Sequence, residues 1–328
     1  MKILFISSWF PYPPNNGSRI RIFNLIKQLS KEHDITLLSF SHEGEVAEDR
    51  MAVMRQYCQS VDVVSLKSFE PTHWKALLGL FSSRPRYFVD TFSTPMWRLV
   101  KAKARDNFGL IILSQIITAP YVSALGTASA PKLFEEVELI GRWEKFSTAR
   151  HPVSRWRYGL TWWKTSRFVA RLLRQFDGCT VVSEQEAQLV RPFLPDYSFM
   201  TVVPNGVDVS VYEGDFGKPQ EDTLIYPGAL TYQANLEAMI YFLRDIFPLI
   251  KVRRPAATIR ITGKTDSVPL HRLPLGEGVE LTGFLNDIRP AIAQSRVCVV
   301  PLTVGGGTRL KILEAMALRT PASSSLRA

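Results

Sequence analysis

Residues 300–318 read VPLTVGGGTRLKILEAMAL. A β-branched run, Val297–Pro301, ends as a strand, Gly305-Gly306-Gly307 supplies a turn, and a helix begins near Thr308. Working outward from this joint, the same alternation recurs along most of the chain. Lys2–Ser7 reads as a strand. A loop rich in Pro and Asn, Trp9 to Gly17, leads to a helix from Ser18 to about Lys31, with Ile22, Leu25, Ile26 and Leu29 on one side. Ile35–Phe40, Val61–Ser65, Leu110–Ser114, Lys132–Glu135 and Cys179–Ser183 are further strand candidates, most of them separated by helical stretches. Strands alternating with helices predict parallel βαβ units and doubly wound sheets.

The pattern breaks at Pro204-Asn205-Gly206-Val207-Asp208, where turn chemistry replaces periodicity, and turn residues recur from Asp215 to Gln220. The expected division is therefore 1–204 and 205–328, two Rossmann-like α/β domains. In the second, Thr223–Pro227, Thr258–Thr262, Val279–Thr282 and Val297–Pro301 read as strands. Asn235 to about Val252 reads as one helix, with Ile240, Leu243, Phe247 and Ile250 on its apolar side. Two such domains joined by a hinge would leave a cleft, and ligands bind at the carboxyl ends of open α/β sheets.

The glycine triplet has a chemical reading of its own. Gly305, Gly306 and Gly307 let the backbone approach a ligand, at a cost of roughly 0.5–1 kcal/mol each relative to alanine in a regular element. Thr308 can cap the helix, whose free N–H groups favour an anion. Arg309 and Lys311 in the first turn oppose the helix dipole by about 0.3–1 kcal/mol each when exposed. A doubly charged phosphate would reverse that sign; a solvated basic helix end is the alternative. Glu314 lies on a largely apolar side near Leu310, Leu313, Ala317 and Leu318, where a carboxylate needs hydrogen-bond donors. The two hydroxyls of a ribose would satisfy it, as would a partner within the protein.

Composition narrows the partners. A net charge of +10 calls for an anion: nucleic acid, acidic lipid or a phosphorylated metabolite. No run reaches the roughly 18 apolar residues of a membrane span, and Met1–Ile6 is too short for a signal peptide. Cys58, Cys179 and Cys298 are far apart and the five histidines are scattered. Neither a zinc site nor a disulfide framework is expected, and a reducing, cytoplasmic setting fits. No G-x-G-x-x-G follows the first strand, and Gly214–Pro219 lacks P-loop spacing.

The string GGGTRLKILEAMA resembles the donor-site signature of glycosyltransferase family 4. VVPNGVD at Val202–Asp208, the N-terminal KILFISSWFPYPPNNGSRIR and GFLNDIRPAIAQSRVCVVPL at Gly283–Leu302 agree in the expected order. The resemblance implies a GT-B fold, a retaining transfer from a nucleotide-sugar donor to a glycan or lipid-linked acceptor, and no required metal or other cofactor. A nucleotide-sugar epimerase or hydrolase of the same shape, or a non-catalytic nucleotide-binding remnant, are the alternatives.

By that resemblance Glu314 matches the carboxylate that holds the ribose. The first Glu of the family's paired pattern falls on Gly306, so backbone amides of Gly305 to Thr308 become candidates for the sugar hydroxyls. In the loop from Gly228 to Asn235, alanine occupies both positions where many members carry Arg and Lys. Arg309 and Lys311 would then neutralise the diphosphate. Gly17, followed by Ser18, Arg19 and Arg21, matches a glycine that permits close approach to donor phosphates. The family continues beyond the position matching Ala328, so the C-terminal domain is expected to be incomplete, with an exposed sheet edge, weak stability or low activity. Glu135, Glu136 and Glu138 read as a solvated acidic turn, or as part of the acceptor side.

One stretch stands apart. Arg150 to Arg174 includes Arg155, Arg157, Lys164, Arg167 and Arg171 interleaved with Trp156, Trp162 and Trp163, and no acid. An anionic membrane surface suits it, which would place the protein peripherally on the inner face of the membrane. A helix packing its tryptophans inward suits it equally. Without a recognised RNA or DNA module, no nucleic-acid partner is expected.

Overall fold

The computed structural model describes residues 1–42, 44–196, 199–266, 268–302 and 308–325. The chain forms two compact units, Met1–Asn205 and Gly206–Ala328.

The first unit holds β1 (Lys2–Ser7), β2 (Asp34–Ser41), β3 (Ser60–Ser65), β4 (Leu110–Ser114), β5 (Lys132–Glu135), β6 (Gly178–Val181) and β7 (Phe199–Val202). They make one parallel sheet in the order β3-β2-β1-β4-β5-β6-β7. Alternate residues of β1 enter different cores: Leu4 and Ile6 pack with Leu38, Leu113 and Phe134 on one face, Ile3 and Phe5 with Ile22, Ile26 and Leu37 on the other. A strand apolar at every position is what a sheet covered on both faces requires.

The second unit repeats the design with β8 (Gln220–Pro227), β9 (Thr258–Thr262), β10 (Val279–Gly283), β11 (Ser295–Val300) and β12 (Ala322–Ser324), parallel in the order β10-β9-β8-β11-β12. Tyr226 and Val299 face one core, Ile225, Cys298 and Val300 the other.

Three local readings change. The helix expected as one piece from Asn235 is a π-helical turn, Phe242–Ile246, flanked by α-helices Gln233–Tyr241 and Phe247–Arg253. Pro248 lacks the N–H that would continue the ladder there. The strand at Cys179 ends at Val181, because Ser183 turns outward to accept a hydrogen bond from Glu186 N and caps the next helix. The tail after Leu318 contains β12, with Cys298 beside Ala322 and Val300 beside Ser324.

Candidate functional site

Each sheet has one place where successive connections leave in opposite directions. In the second it lies between β8 and β11, the crevice that α/β proteins use for ligands. Gly228 follows β8, and the helix Leu310–Ala317 follows β11 through residues 303–307. Gly305, Gly306 and Gly307 lie outside the described residues.

Lys311 reaches back under this crevice. Its Nζ donates to Tyr226 Oη (3.0 Å) and Asn235 Oδ1 (3.3 Å) and lies 4.1 Å from the Tyr226 ring centroid. Tyr226 in turn donates to Asn235 Oδ1 (2.7 Å), and Asn235 Nδ2 donates to Ala229 O (2.8 Å). All these acceptors are neutral, and Lys311 forms no ion pair among the described residues. Burial pushes its pKa down to about 8. Glu314, one turn on, partly offsets the charge without forming an ion pair, and desolvation still dominates, so an arriving anion would favour the charged form.

Gly228 leaves room for the tips of these side chains, which any larger residue would displace. A Cβ there would sit 2.8 Å from Lys311 Nζ and 3.0 Å from Asn235 Nδ2. Gly263, after β9, is the more constrained: its φ is +101°, and a Cβ would meet the backbone nitrogen of Ala229 at 2.6 Å. Sequence reasoning missed Gly263, Tyr226 and Asn235. Their signal was a glycine after a strand and a polar pair nine residues apart flanking Gly228.

Glu314, one turn on from Lys311, is partly buried, and burial raises its pKa. The Tyr212 hydroxyl donates to its Oε1 (3.0 Å). Tyr212 arrives on the short 3₁₀ turn Val209–Tyr212, capped by Asp208, whose Oδ1 accepts from Ser210 N (3.2 Å). Arg289 Nη1 holds the same turn through Val211 O (2.6 Å). The Pro-Asn-Gly-Val-Asp motif thus ends in a cap that delivers Tyr212 to Glu314.

Thr308 is not the helix cap. Arg309 occupies the N-cap position with φ −81° and ψ 98°, and no side chain caps the helix. An N-cap side chain must accept a hydrogen bond, and Thr308 stands one residue too early. Arg309 adds positive charge beside Lys311 and Tyr226.

In the first sheet the corresponding place lies between β1 and β4. Gly17 is the exposed first residue of the helix Gly17–Leu29, which Asn16 caps by accepting from Arg19 N (3.0 Å). From that helix Arg21 enters the interior. Its Nε donates to Glu135 Oε1 (2.6 Å), and its Nη1 donates to Val203 O (2.8 Å) and Asn205 Oδ1 (3.0 Å). Ser114 Oγ donates to Glu135 Oε2 (2.5 Å). Gln115 Nε2 bridges Ser18 Oγ (2.9 Å) and Glu136 Oε2 (2.8 Å), while Ser8 donates to Gln115 Oε1.

The reading of a solvated acidic turn is overturned for two of its three residues. Glu135 is only 4% exposed and Glu136 sits in the same network, while Glu138 faces solvent. The physical reason is Arg21, whose buried guanidinium draws the carboxylates inward. Burial, then the neighbouring Glu135 charge, pushes the Glu136 pKa up to about 8. Gln115 and Glu136 both have left-handed backbones (φ 69° and 57°), uncommon for non-glycine residues and frequent at functional positions. Arg21 on the apolar side of its helix was the legible signal.

The three cysteines are buried and unpaired, with thiols pushed up to about 12 by burial, so none is a nucleophile near neutrality. No group of three His, Cys, Asp or Glu among the described residues is arranged to hold a metal ion.

The family described as Glycosyltransferase Family 4 matches residues 15–211, and the one described as Glycosyl transferases group 1 matches residues 221–325. No curated protein matches the chain. Among solved structures, Anabaena Alr3699/HepE in complex with UDP and glucose is similar, with TM-score 0.61 and 16% identity. That match covers 98% of this chain and 80% of HepE. TarM has TM-score 0.66 at 11% identity, covering 99% of this chain and 84% of TarM. A UDP-forming α,α-trehalose-phosphate synthase from Burkholderia xenovorans, in complex with glucose-6-phosphate, has TM-score 0.60 at 10% identity, with 99% and 84% covered. At these identities the likeness establishes the fold.

Proposed function

Because the chain belongs to glycosyltransferase family 4 and has the two parallel-sheet domains of the GT-B fold, we propose that it transfers a sugar, with retention, from a nucleoside-diphosphate sugar to a hydroxyl of a glycan or lipid-linked acceptor. The observation that carries this is the partly buried Lys311 ammonium at the β8–β11 switch point, hydrogen-bonded only to neutral oxygens. A diphosphate is the counter-ion such a site takes, and HepE, of the same fold, is solved with UDP.

Each donor contact has a residue. Lys311 and Arg309 neutralise the diphosphate as it leaves, an electrostatic contribution that grows as the sugar–phosphate bond breaks. Glu314 receives the ribose hydroxyls, with Tyr212 fixing one carboxylate oxygen so that the other is presented to the nucleoside. Gly228 keeps the loop floor low enough for the donor to approach Lys311. The backbone amides of 305–308 and Gly17 are assigned to the sugar and phosphate oxygens. The acceptor hydroxyl attacks from the face the diphosphate leaves, so positioning rather than a strong base drives the step. The Ser8–Gln115–Glu136 network at the first switch point is assigned to the acceptor side, and the first unit is the acceptor domain. Transfer by this reading needs no metal, and turnover in EDTA should equal turnover in Mg²⁺. Three unpaired, buried thiols accord with a cytoplasmic setting.

The test is a panel of UDP-, GDP- and ADP-sugars with and without acceptor. Nucleoside diphosphate released only with acceptor supports transfer. Release without acceptor makes the protein a hydrolase, reversible change of the donor sugar makes it an epimerase, and binding without turnover makes it a nucleotide-binding remnant.

A further inference from the structure

The helix Pro152–Leu173 has an apolar stripe on its solvent side. Its last turns bury Phe168, Val169, Leu172 and Leu173 in the first unit's core. Its first turns are held on another flank, where Gly159 meets Phe146 and Trp162 packs on Trp143. Val153, Trp156, Leu160 and Trp163, spaced three and four apart, therefore line one exposed face, with Trp156 72% exposed. Arg157, Lys164, Arg167 and Arg171 share that side of the helix.

A second segment, far away in sequence, extends the same face. Lys164 Nζ donates to Leu80 O (2.6 Å) and Gly79 O (3.4 Å), and Arg171 Nη1 donates to Ser83 Oγ (3.1 Å). These bonds fasten residues 71–86 along the helix. That segment presents Trp74, Leu77, Leu78 and Phe81 to solvent, Phe81 at 92% exposure. It contains Lys75, Arg84 and Arg86, and 150–174 contains seven further Arg and Lys residues; neither contains Asp or Glu. Contiguous exposed apolar surface edged by charge marks an interaction site.

We propose that this two-segment face docks the protein on an anionic lipid bilayer. Phe81, Trp156 and the neighbouring leucines enter the headgroup–acyl boundary, and the guanidinium and ammonium groups rest on lipid phosphates. Indole, phenyl and aliphatic side chains interleaved with cations suit that boundary. A second copy meeting the same face would set cations against cations. Single-stranded nucleic acid needs aromatic platforms, whereas half of the 74–81 tip is aliphatic. Among the described residues no helix is long and apolar enough to cross a membrane. At 1.5 Å per residue the face from Val153 to Arg171 offers a contact roughly 27 Å long.

The full chain is sedimented with vesicles of phosphatidylcholine plus phosphatidylglycerol, or of phosphatidylcholine alone, at low and high salt. Binding to the anionic vesicles at low salt is expected, with partition about tenfold weaker on neutral vesicles or at high salt. Phe81→Asp and Trp156→Asp, both at exposed positions, each lower partition severalfold, and Arg157→Glu with Arg167→Glu lowers it about tenfold or more. Retention of the UDP-induced thermal shift shows that the variants are folded, and separates this proposal from the sugar-transfer reading. Absence of wild-type binding to anionic vesicles overturns it, as does unchanged binding by the Phe81 and Trp156 variants. Binding of an oligonucleotide in place of vesicles, or dimerisation abolished by Trp156→Asp, overturns it equally.

Discussion

Replacing Lys311 with methionine keeps the side-chain stem and removes the charge. A hydrogen bond from a charged donor is worth about 1.5–3 kcal/mol, so at pH 7 the variant should bind UDP about 10- to 150-fold more weakly. The structure adds a sharper signature. With the ammonium pKa lowered to about 8, roughly nine-tenths of Lys311 is charged at pH 7 and about one-tenth at pH 9. Affinity for a diphosphate should therefore fall roughly tenfold between those values, because the anion selects the charged form. A phosphate monoester's last proton leaves near pH 6, so the charge on the ligand's phosphates changes little over this range. Stability of the unliganded protein runs the other way. Between about 8 and 10.5 the unfolded chain holds the proton that the folded chain has released, so stability rises with pH. Isothermal titration calorimetry with UDP at fixed ionic strength reads the affinity. A flat wild-type profile from pH 7 to 9, or unchanged binding by the methionine variant, refutes Lys311 as the diphosphate's counter-ion.

Tyr212→Phe releases Glu314 Oε1 from its donor and should raise the donor KM severalfold with kcat little changed, read by steady-state kinetics; a change in kcat alone contradicts a positioning role. Gly263→Ala forces a left-handed, crowded position and should cost about 2 kcal/mol or more in denaturant unfolding of the second unit, with no clash relieved by side-chain motion. Glu135→Ala removes the nearer carboxylate of the buried Arg21 guanidinium, leaving Glu136 at 3.9 Å, and should cost about 1.5–3 kcal/mol in the first unit. Glu136 titrates high, so the folded chain holds its proton between about 4.5 and 8 while the unfolded chain loses it. Stability should fall across that window, and Glu136→Gln should flatten the fall in thermal melts at successive pH values.

How much of this was legible follows from what each residue depends on. The strands were readable because parallel strands buried on both faces are apolar at every position, as Ile3–Ile6 is. Helix Gly17–Leu29 was readable from its stripe. The break at Phe242–Ile246 was not, because a proline's missing donor can be absorbed as a kink, a new helix start or a π turn, and packing chooses among them. Lys311 and Glu314 stood out as charges on a glycine-opened helix. Their partners did not: Tyr226, Asn235 and Tyr212 come from 76 to 102 residues away, and only the folded sheet brings them together. Glu135 and Glu136 were misread for the same reason. A carboxylate's burial is decided by the cation that meets it, here Arg21, 114 residues earlier.

Arg21 has a mechanical consequence as well. By gripping the carbonyl of Val203 and the amide oxygen of Asn205, it clamps the outgoing strand of backbone to the rim of the first sheet. Past this grip stands Gly206, around which a methyl group would meet nothing within 4 Å.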